Sequence, residues 1–178
     1  NLVQPPPMPR FLEALRALQR RSLLENGGQG FTLQNVVIEY LTEQLVERVC
    51  TEIVSALGTE PLYLLITHTW LNRHALLKAQ ATEAIRQSQA RLLLQPVAER
   101  LLARVGKARL ATQIERLLTM LRHTAPLAPG YAGGNLLNLL LAAGLDVSGV
   151  DFSHLCVWQA YLRDAYLPGL QLVGADLR

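Results

Sequence analysis

Four histidines and two cysteines are the residues of this chain that could ligate a metal or act as nucleophiles, and their spacing argues against both. His68, His74, His123 and His154 form no metal-ligand spacing. His68 and His74 stand six apart, outside the three-to-four separation that places two side chains on one helix face. His154 lies two residues from Cys156, but nothing in the local pattern supplies the geometry of a Cys/His dyad. Cys50 and Cys156 could close at most one disulfide, and neither has a second cysteine nearby. That usage fits a reducing, cytoplasmic compartment. No serine sits in a nucleophile elbow, and no Gly-x-x-x-x-Gly-Lys-Ser/Thr loop is present to cradle a triphosphate. The sequence therefore points to a non-enzymatic segment without a metal or cofactor of its own.

Two further groups could bind rather than react. Arg16, Arg20 and Arg21 lie on or beside one helix, where they could meet nucleic-acid phosphates. DNA-reading winged helices add basic residues in the wing, and the turn Asn26 to Gly30 has none. Gly133-Gly134-Asn135 precedes a helical run and could receive an anion at the helix N-terminus. The preferred reading is a tight turn that closes the helices onto the C-terminal segment.

The elements that position these residues are mostly helical. Four prolines within residues 1–9 read as an extended lead-in, with Pro9 suited to a first helical turn. From Arg10, Phe11, Leu12, Leu15 and Leu18 recur at helical spacing. Two short apolar segments around Asn26-Gly27-Gly28-Gln29-Gly30 predict a hairpin. Gln34 to Leu57 is the strongest helix, with Val37, Leu41, Leu45, Val49 and Ile53 stepping along one stripe and Gly58 as its cap. Further helical stretches are expected from Pro61 to Trp70, from Asn72 to Gln89, from Leu92 to Val105 with a break or a new first turn at Pro96, from Lys107 to His123, and from Leu136 to Ala143. Short connections favour antiparallel packing of neighbours.

Composition bounds the rest. Of 178 residues half are hydrophobic and 17% charged, enough for a substantial core and too apolar for disorder. No apolar run approaches the roughly 18 residues of a membrane span. The net charge of +3 is uneven: every aspartate lies at or beyond Asp146, so residues 1–144 are basic and residues 145–178 acidic. This shift marks a boundary near Gly144.

Beyond that boundary the chain falls into five-residue units. Val147, Phe152, Val157, Leu162, Leu167, Leu172 and Leu177 recur every fifth position. Leu145, Val150, Leu155, Ala160, Ala165, Leu170 and Ala175 precede them by two. Neither a strand nor a helix period accounts for this spacing, whereas a stacked solenoid does. The pattern resembles the pentapeptide-repeat family, which implies a right-handed quadrilateral β-helix with these apolar residues inward. Fewer than two windings would be present. The chain opens on Asn1 and stops inside a repeat, which reads as part of something longer.

Several ordered segments together carry a second resemblance: Gly30-Phe31-Thr32-Leu33-Gln34, Val37 to Glu43, Arg73 to Ala79, Pro129 to Leu140, and Asp151 to Ala160. They resemble the middle of bacterial signalling NTPases of the NB-ARC (STAND) type. The resemblance implies an upstream P-loop ATPase that binds ADP or ATP, a winged helix, a helical region, and often downstream WD propeller repeats. In that family a Met-His-Asp motif after the wing senses the nucleotide phosphates. The matching stretch here is Leu33-Gln34-Asn35, so Gln34 could donate a hydrogen bond to a phosphate but could not carry charge. The preferred reading of Gln34 is the cap of the long helix.

The expected organisation is mainly α. It comprises the C-terminal half of a winged helix over residues 1–33, an antiparallel helical array over 34–144, and a truncated pentapeptide β-helix over 145–178. The expected role is a scaffold or relay segment of a STAND-type signal-transduction ATPase. Its partners would be the other domains of the same chain and further proteins, with no membrane contact. The alternative is a nucleic-acid-binding winged helix. On that alternative, duplex-DNA affinity falls steeply with salt and alanine at Arg16, Arg20 and Arg21 together abolishes it; binding that survives the triple change, measured by fluorescence anisotropy across a salt series, would count against it.

Overall fold

The computed structural model describes residues 7–27, 30–55 and 68–178. Helix α1 (Met8–Arg20) carries Pro9 in its first turn, where a missing N–H costs nothing. Strands β1 (Leu24–Gly27) and β2 (Gly30–Leu33) pair antiparallel, with Leu24 opposite Leu33 and Gly27 opposite Gly30. The Leu23 N–H donates to the Leu18 carbonyl at 3.0 Å and so ties the hairpin to the end of α1.

Helix α2 (Asn35–Ser55) buries only its second half, through Val46, Val49, Cys50 and Ile53. The expected stripe holds at Val49 and Ile53 but fails at Leu41, which is 49% exposed. Steps of four drift around a helix of 3.6 residues per turn, so such a stripe does not stay under one neighbour. The expected cap at Gly58 and most of the stretch from Pro61 to Trp70 lie outside the described residues.

Helix α3 (Trp70–Arg73) starts where a helix was expected to end. Its cap comes partly from α2: the Glu52 carboxylate accepts from the backbone N–H groups of Trp70 at 2.8 Å and Leu71 at 2.9 Å. Thr69 completes it, its side chain accepting from the Asn72 N–H. Asn72 therefore sits inside this short helix and caps no longer one. Residues 74–82 are irregular, yet Leu76 and Leu77 are buried there.

Helices α4 (Glu83–Gln89) and α5 (Gln95–Val105) run on through a π turn, Ala90–Leu94, with no break, and Pro96 stands in the first turn of α5, the second of the two places expected for it. Proline lacks an N–H and its ring crowds the carbonyl four residues back. A wider turn just ahead of it relieves that crowding without ending the helix. Gly106, at φ +77°, separates α5 from α6 (Lys107–Thr124). Helix α2 packs on α5, and Arg100 and Arg104 of α5 pair with Glu43 at 2.7 Å and Glu47 at 2.6 Å respectively.

Helix α7 (Ala132–Ala142) is central. Ala132 through Leu140 are all buried, as expected of a helix enclosed on every side. It starts earlier than the sequence suggests, so Gly133-Gly134-Asn135 lies in its first turn rather than ahead of it. A Cβ on Gly134 would stand 1.9 Å from the Trp158 carbonyl oxygen, and one on Gly133 would stand 2.5 Å from that of Cys156. Glycine's poor helix propensity is thus overridden by close packing of α7 on the tail. The other side of α7 is stapled by Asn135. Its Oδ1 accepts from the Leu76 N–H at 2.9 Å, and its Nδ2 donates to the carbonyls of Leu71 at 2.7 Å and His74 at 2.8 Å. Asn138 does the same toward the tail, donating to the Gln159 carbonyl at 3.0 Å and accepting from the Tyr161 N–H at 2.9 Å.

The tail corrects the expectation of a right-handed quadrilateral β-helix of pentapeptide repeats. The fold is mainly helical, and among the described residues β1 and β2 are the only strands. Residues 145–178 carry just two isolated parallel bridges, Asp151 with Gln171 and Cys156 with Asp176. The reason lies in the backbone. Gly149, His154, Gln159, Asp164, Gly169 and Gly174 all adopt left-handed φ, so a turn recurs every five residues. Each bridge meets a turn within a few residues, before the successive ladder pairs of a strand can accumulate. What forms is a coil of turns. Phe152 is fully buried in it, and Leu162, Leu167 and Leu172 pack partly buried against the common core, while Leu177 is exposed.

Two substitutions separate close packing from backbone strain. Gly134→Ala should destabilise the protein by about 3 kcal/mol, because neither the Trp158 backbone nor α7 can yield freely. Asp164→Gly should stabilise it by about 0.5 kcal/mol, since the Asp164 side chain is exposed and only its left-handed φ is strained. Urea denaturation of both variants measures the pair.

Candidate interaction surface

The residues singled out for binding gather at one end of the molecule, on α1, the hairpin and the first half of α2. Arg16, Arg20 and Arg21 are exposed and make no ion pair among the described residues. Gln34 stands at the foot of the hairpin. Its N–H donates to the Leu23 carbonyl at 3.3 Å, and its own carbonyl accepts from Val37 at 2.9 Å and Ile38 at 3.0 Å. It therefore opens α2 through its backbone, at the corner where α1 turns into β1, with its side chain half-buried.

The same end exposes a run of large apolar side chains. Phe31 on β2 is 52% exposed, and on α2 Val36 is 66% and Tyr40 62% exposed, beside Ile38 and Leu41. No described helix covers this half of α2. Burial resumes at Val46, where α3 and α5 arrive. Sequence reasoning assigned Val37 and Leu41 to a core stripe and so missed the surface. The signal was present in Val36-Val37-Ile38 with Tyr40-Leu41: apolar residues there exceed one helix face, as they do in a helix with two partners.

The remaining candidates are structural. Cys50 and Cys156 are buried free thiols whose sulfurs lie at 3.7 Å and 3.3 Å from the Val97 and Leu127 carbonyls respectively. Burial pushes the Cys50 thiol up to about 11, and Cys156 is raised by burial and by Asp176, so neither is a ready nucleophile. The His74 ring stacks on Trp70 at 4.7 Å, and Arg48 lies over the same Trp70 ring at 4.7 Å. His68, His123 and His154 are exposed and dispersed. Among the described residues no three His, Cys, Asp or Glu side chains converge to hold a metal ion. Asp151 serves the turns. Burial raises its carboxyl, but hydrogen bonds from Ser153 and the nearby Arg122 outweigh this and hold it below the usual range. Gly133-Gly134-Asn135 packs against the tail and the 71–76 segment rather than facing open solvent.

No family model matches the chain, and no solved structure matches it. It is 40% identical, over 96% of its own length, to an uncharacterized WD repeat-containing protein of Nostoc sp. strain PCC 7120. The chain spans 16% of that relative. Among the described residues no helix is long and apolar enough to cross a membrane.

If the β2–α2 face is an uncovered surface and not part of the core, its residues contribute little to stability. Phe31→Ala and Tyr40→Ala should each cost about 0.5 kcal/mol or less, whereas Val49→Ala, further along α2, should cost about 2 kcal/mol. Thermal and chemical denaturation of the three variants distinguishes the two halves of the helix.

Proposed function

We propose that this chain is a non-catalytic scaffold and relay segment of a STAND-type signal-transduction ATPase acting in the cytoplasm. In this reading it couples an upstream domain that binds ADP or ATP to a downstream sensor or interaction domain. The observation that carries the reading is the exposure of Phe31 on β2 and of Val36, Ile38 and Tyr40 on more than one side of the first two turns of α2, beside Gln34. A concentration of exposed large apolar side chains marks a protein interface. The similarity to a longer WD repeat-containing protein supports a segment placed among other domains.

The relay works by transmission through stiff parts. A nucleotide-dependent change in how the upstream domain docks on β2 and the start of α2 moves α2 as one rod of 21 residues. Its second half is bolted to α5 by the Glu43–Arg100 and Glu47–Arg104 pairs and to α3 by Glu52. Helix α7 then passes the displacement to the tail, and from there to whatever the tail contacts. Nucleotide stays on the upstream domain, and Gln34 lies nearest to it.

The test uses the full-length protein that contains this segment. Amide hydrogen exchange is compared between ADP-loaded and ATP-loaded forms. Protection over residues 30–41 that differs by at least tenfold between the two, and that Phe31→Ser with Tyr40→Ser removes, is the expected result. Identical exchange in both states, or a full-length protein that binds neither nucleotide, overturns the relay.

A further inference from the structure

A second concave region lies beside the middle of α2. It is an open groove of about 590 Å³ where three segments meet. Loop 74–82 contributes His74, Lys78 and Gln80, the entry to α7 contributes Tyr131, and the tail contributes Gln159, with Leu45 of α2 forming an apolar edge. Among the described residues no carboxylate lines it. Lys78 makes no ion pair among the described residues, and the side-chain amides of Gln80 and Gln159 make no hydrogen bond there. Burial, with the nearby charge of Arg73, holds the His74 ring below its usual range, so it stays neutral near pH 7 and offers one N–H donor. The wall is thus rich in donors, singly positive, and backed by Tyr131.

Gln159 sharpens the reading. Three of the six left-handed turn positions in the tail are glycine, the residue that adopts this conformation without strain. Gln159 holds φ +63° at such a position and lies in the lining of the groove. A residue kept in a costly conformation at the edge of a cavity fits a binding role better than a purely structural one. The backbone there is fixed by Asn138, which receives Tyr161 and holds the Gln159 carbonyl. The loop side is fixed by Asn135 and by Gln89, whose Oε1 accepts from the Lys78 N–H at 2.9 Å. The backbone on both sides of the groove is therefore held by hydrogen bonds, and the exposed side chains of Lys78 and Gln80 extend from it.

We infer that this groove binds a small organic anion, with its carboxylate or phosphate on Lys78 and the amides of Gln80 and Gln159, and its body against Tyr131 and Leu45. The volume suits a molecule of a few dozen atoms or fewer. One ammonium and two or three neutral donors fit a single oxyanion. A bound anion would bridge the helical body and the tail, stiffening the junction between them. The inference is independent of the relay reading: it needs only this chain, and either can fail alone.

The test uses the full chain with benzoate and phenyl phosphate as probes and benzyl alcohol as the neutral control. Both anions are matched to the aromatic wall, and the larger response tells carboxylate from phosphate. A saturable rise in melting temperature, with a dissociation constant of about 1 mM, is expected for at least one anion and not for the alcohol. Lys78→Glu should weaken that binding at least tenfold. Gln159→Gly is the second variant and cannot be confused with misfolding. It should raise the melting temperature of the unliganded protein, by releasing the strained φ, while weakening anion binding about fivefold. No response to either anion, equal responses to anion and alcohol, or binding that survives both substitutions would overturn the site.

Discussion

The contact on which the rest of this molecule depends is the approach of α7 to the tail at Gly133 and Gly134. With no side chain between them, helix and coil lie backbone to backbone, and a single methyl group at position 134 would fall 1.9 Å from a carbonyl oxygen. Around that contact two asparagines do complementary work. Asn135 closes α7 onto the 71–76 segment, and Asn138 closes it onto residues 159–161. Both are buried with donors and acceptors matched, the condition under which a buried amide adds specificity instead of a desolvation penalty. The irregular 74–82 loop has few backbone hydrogen bonds of its own, whereas the tail ties its turns together, the Phe152 N–H donating to the Gln171 carbonyl and the Asp176 N–H to the Leu155 carbonyl, both at 2.9 Å. Helix α7 holds the loop and the tail to one body.

Helix α2 shows the other governing constraint, which is that a helix buries only the length its neighbours cover. Glu52 caps α3 and the arginines of α5 grip Glu43 and Glu47, so α2 from about Glu43 onward belongs to the body. Burial raises the Glu52 carboxyl, and its two backbone hydrogen bonds work against that rise. Its charged form is therefore useful only while it caps α3. The first two turns of α2 carry equally apolar residues with nothing over them. The division within one continuous helix gives the molecule a packed half and a presenting half joined by a rod.

How much of this was readable beforehand depends on the kind of information each feature uses. Local signals served well: Pro9, the glycine-rich turn at 26–30, the onset of α2 beside Gln34, and Gly106 between two helices all act through nearest-neighbour geometry. The five-residue apolar period correctly marked which tail residues face inward at Phe152 and Leu162. It gave the wrong secondary structure, because inward spacing does not reveal whether turns leave room for strands. Left-handed φ at His154, Gln159 and Asp164 is invisible in those residue types. The start of α7 was misplaced since glycine propensity argues against a helix, and only the tail's backbone, more than twenty residues away, explains Gly133 and Gly134. The helical pattern through Leu76 fails for the same reason: the N–H groups of Leu76 and Lys78 donate to the distant side chains of Asn135 and Gln89. Of the binding surface, Gln34 and the arginines were legible as residue types. The apolar face was present in the letters and assigned to the core, because a stripe records hydrophobicity and not what meets it.

The tail's repeated turns bear on why strain is spread so unevenly along it. Every fifth residue must take a left-handed φ, so glycine at all six positions would be the least costly solution. Glycine is used at Gly149, where a Cβ would meet no neighbour, at Gly169, where a Cβ would meet the Gly149 backbone at 3.4 Å, and at Gly174, where the His154 ring fills the space a Cβ would need. It is absent at the middle three. Of these, Asp164 is solvent-exposed, and His154 uses its ring to cover Gly174 on the neighbouring winding. Packing therefore accounts for His154, while Asp164 belongs to a residue type that tolerates the left-handed region. Gln159 has neither justification. It is not a residue that favours this conformation, and its backbone is already secured by Asn138, so its side chain is not needed to hold the turn. What further distinguishes position 159 is its place in the lining of the groove, where an amide, unlike glycine, adds a hydrogen-bond donor to the proposed anion site.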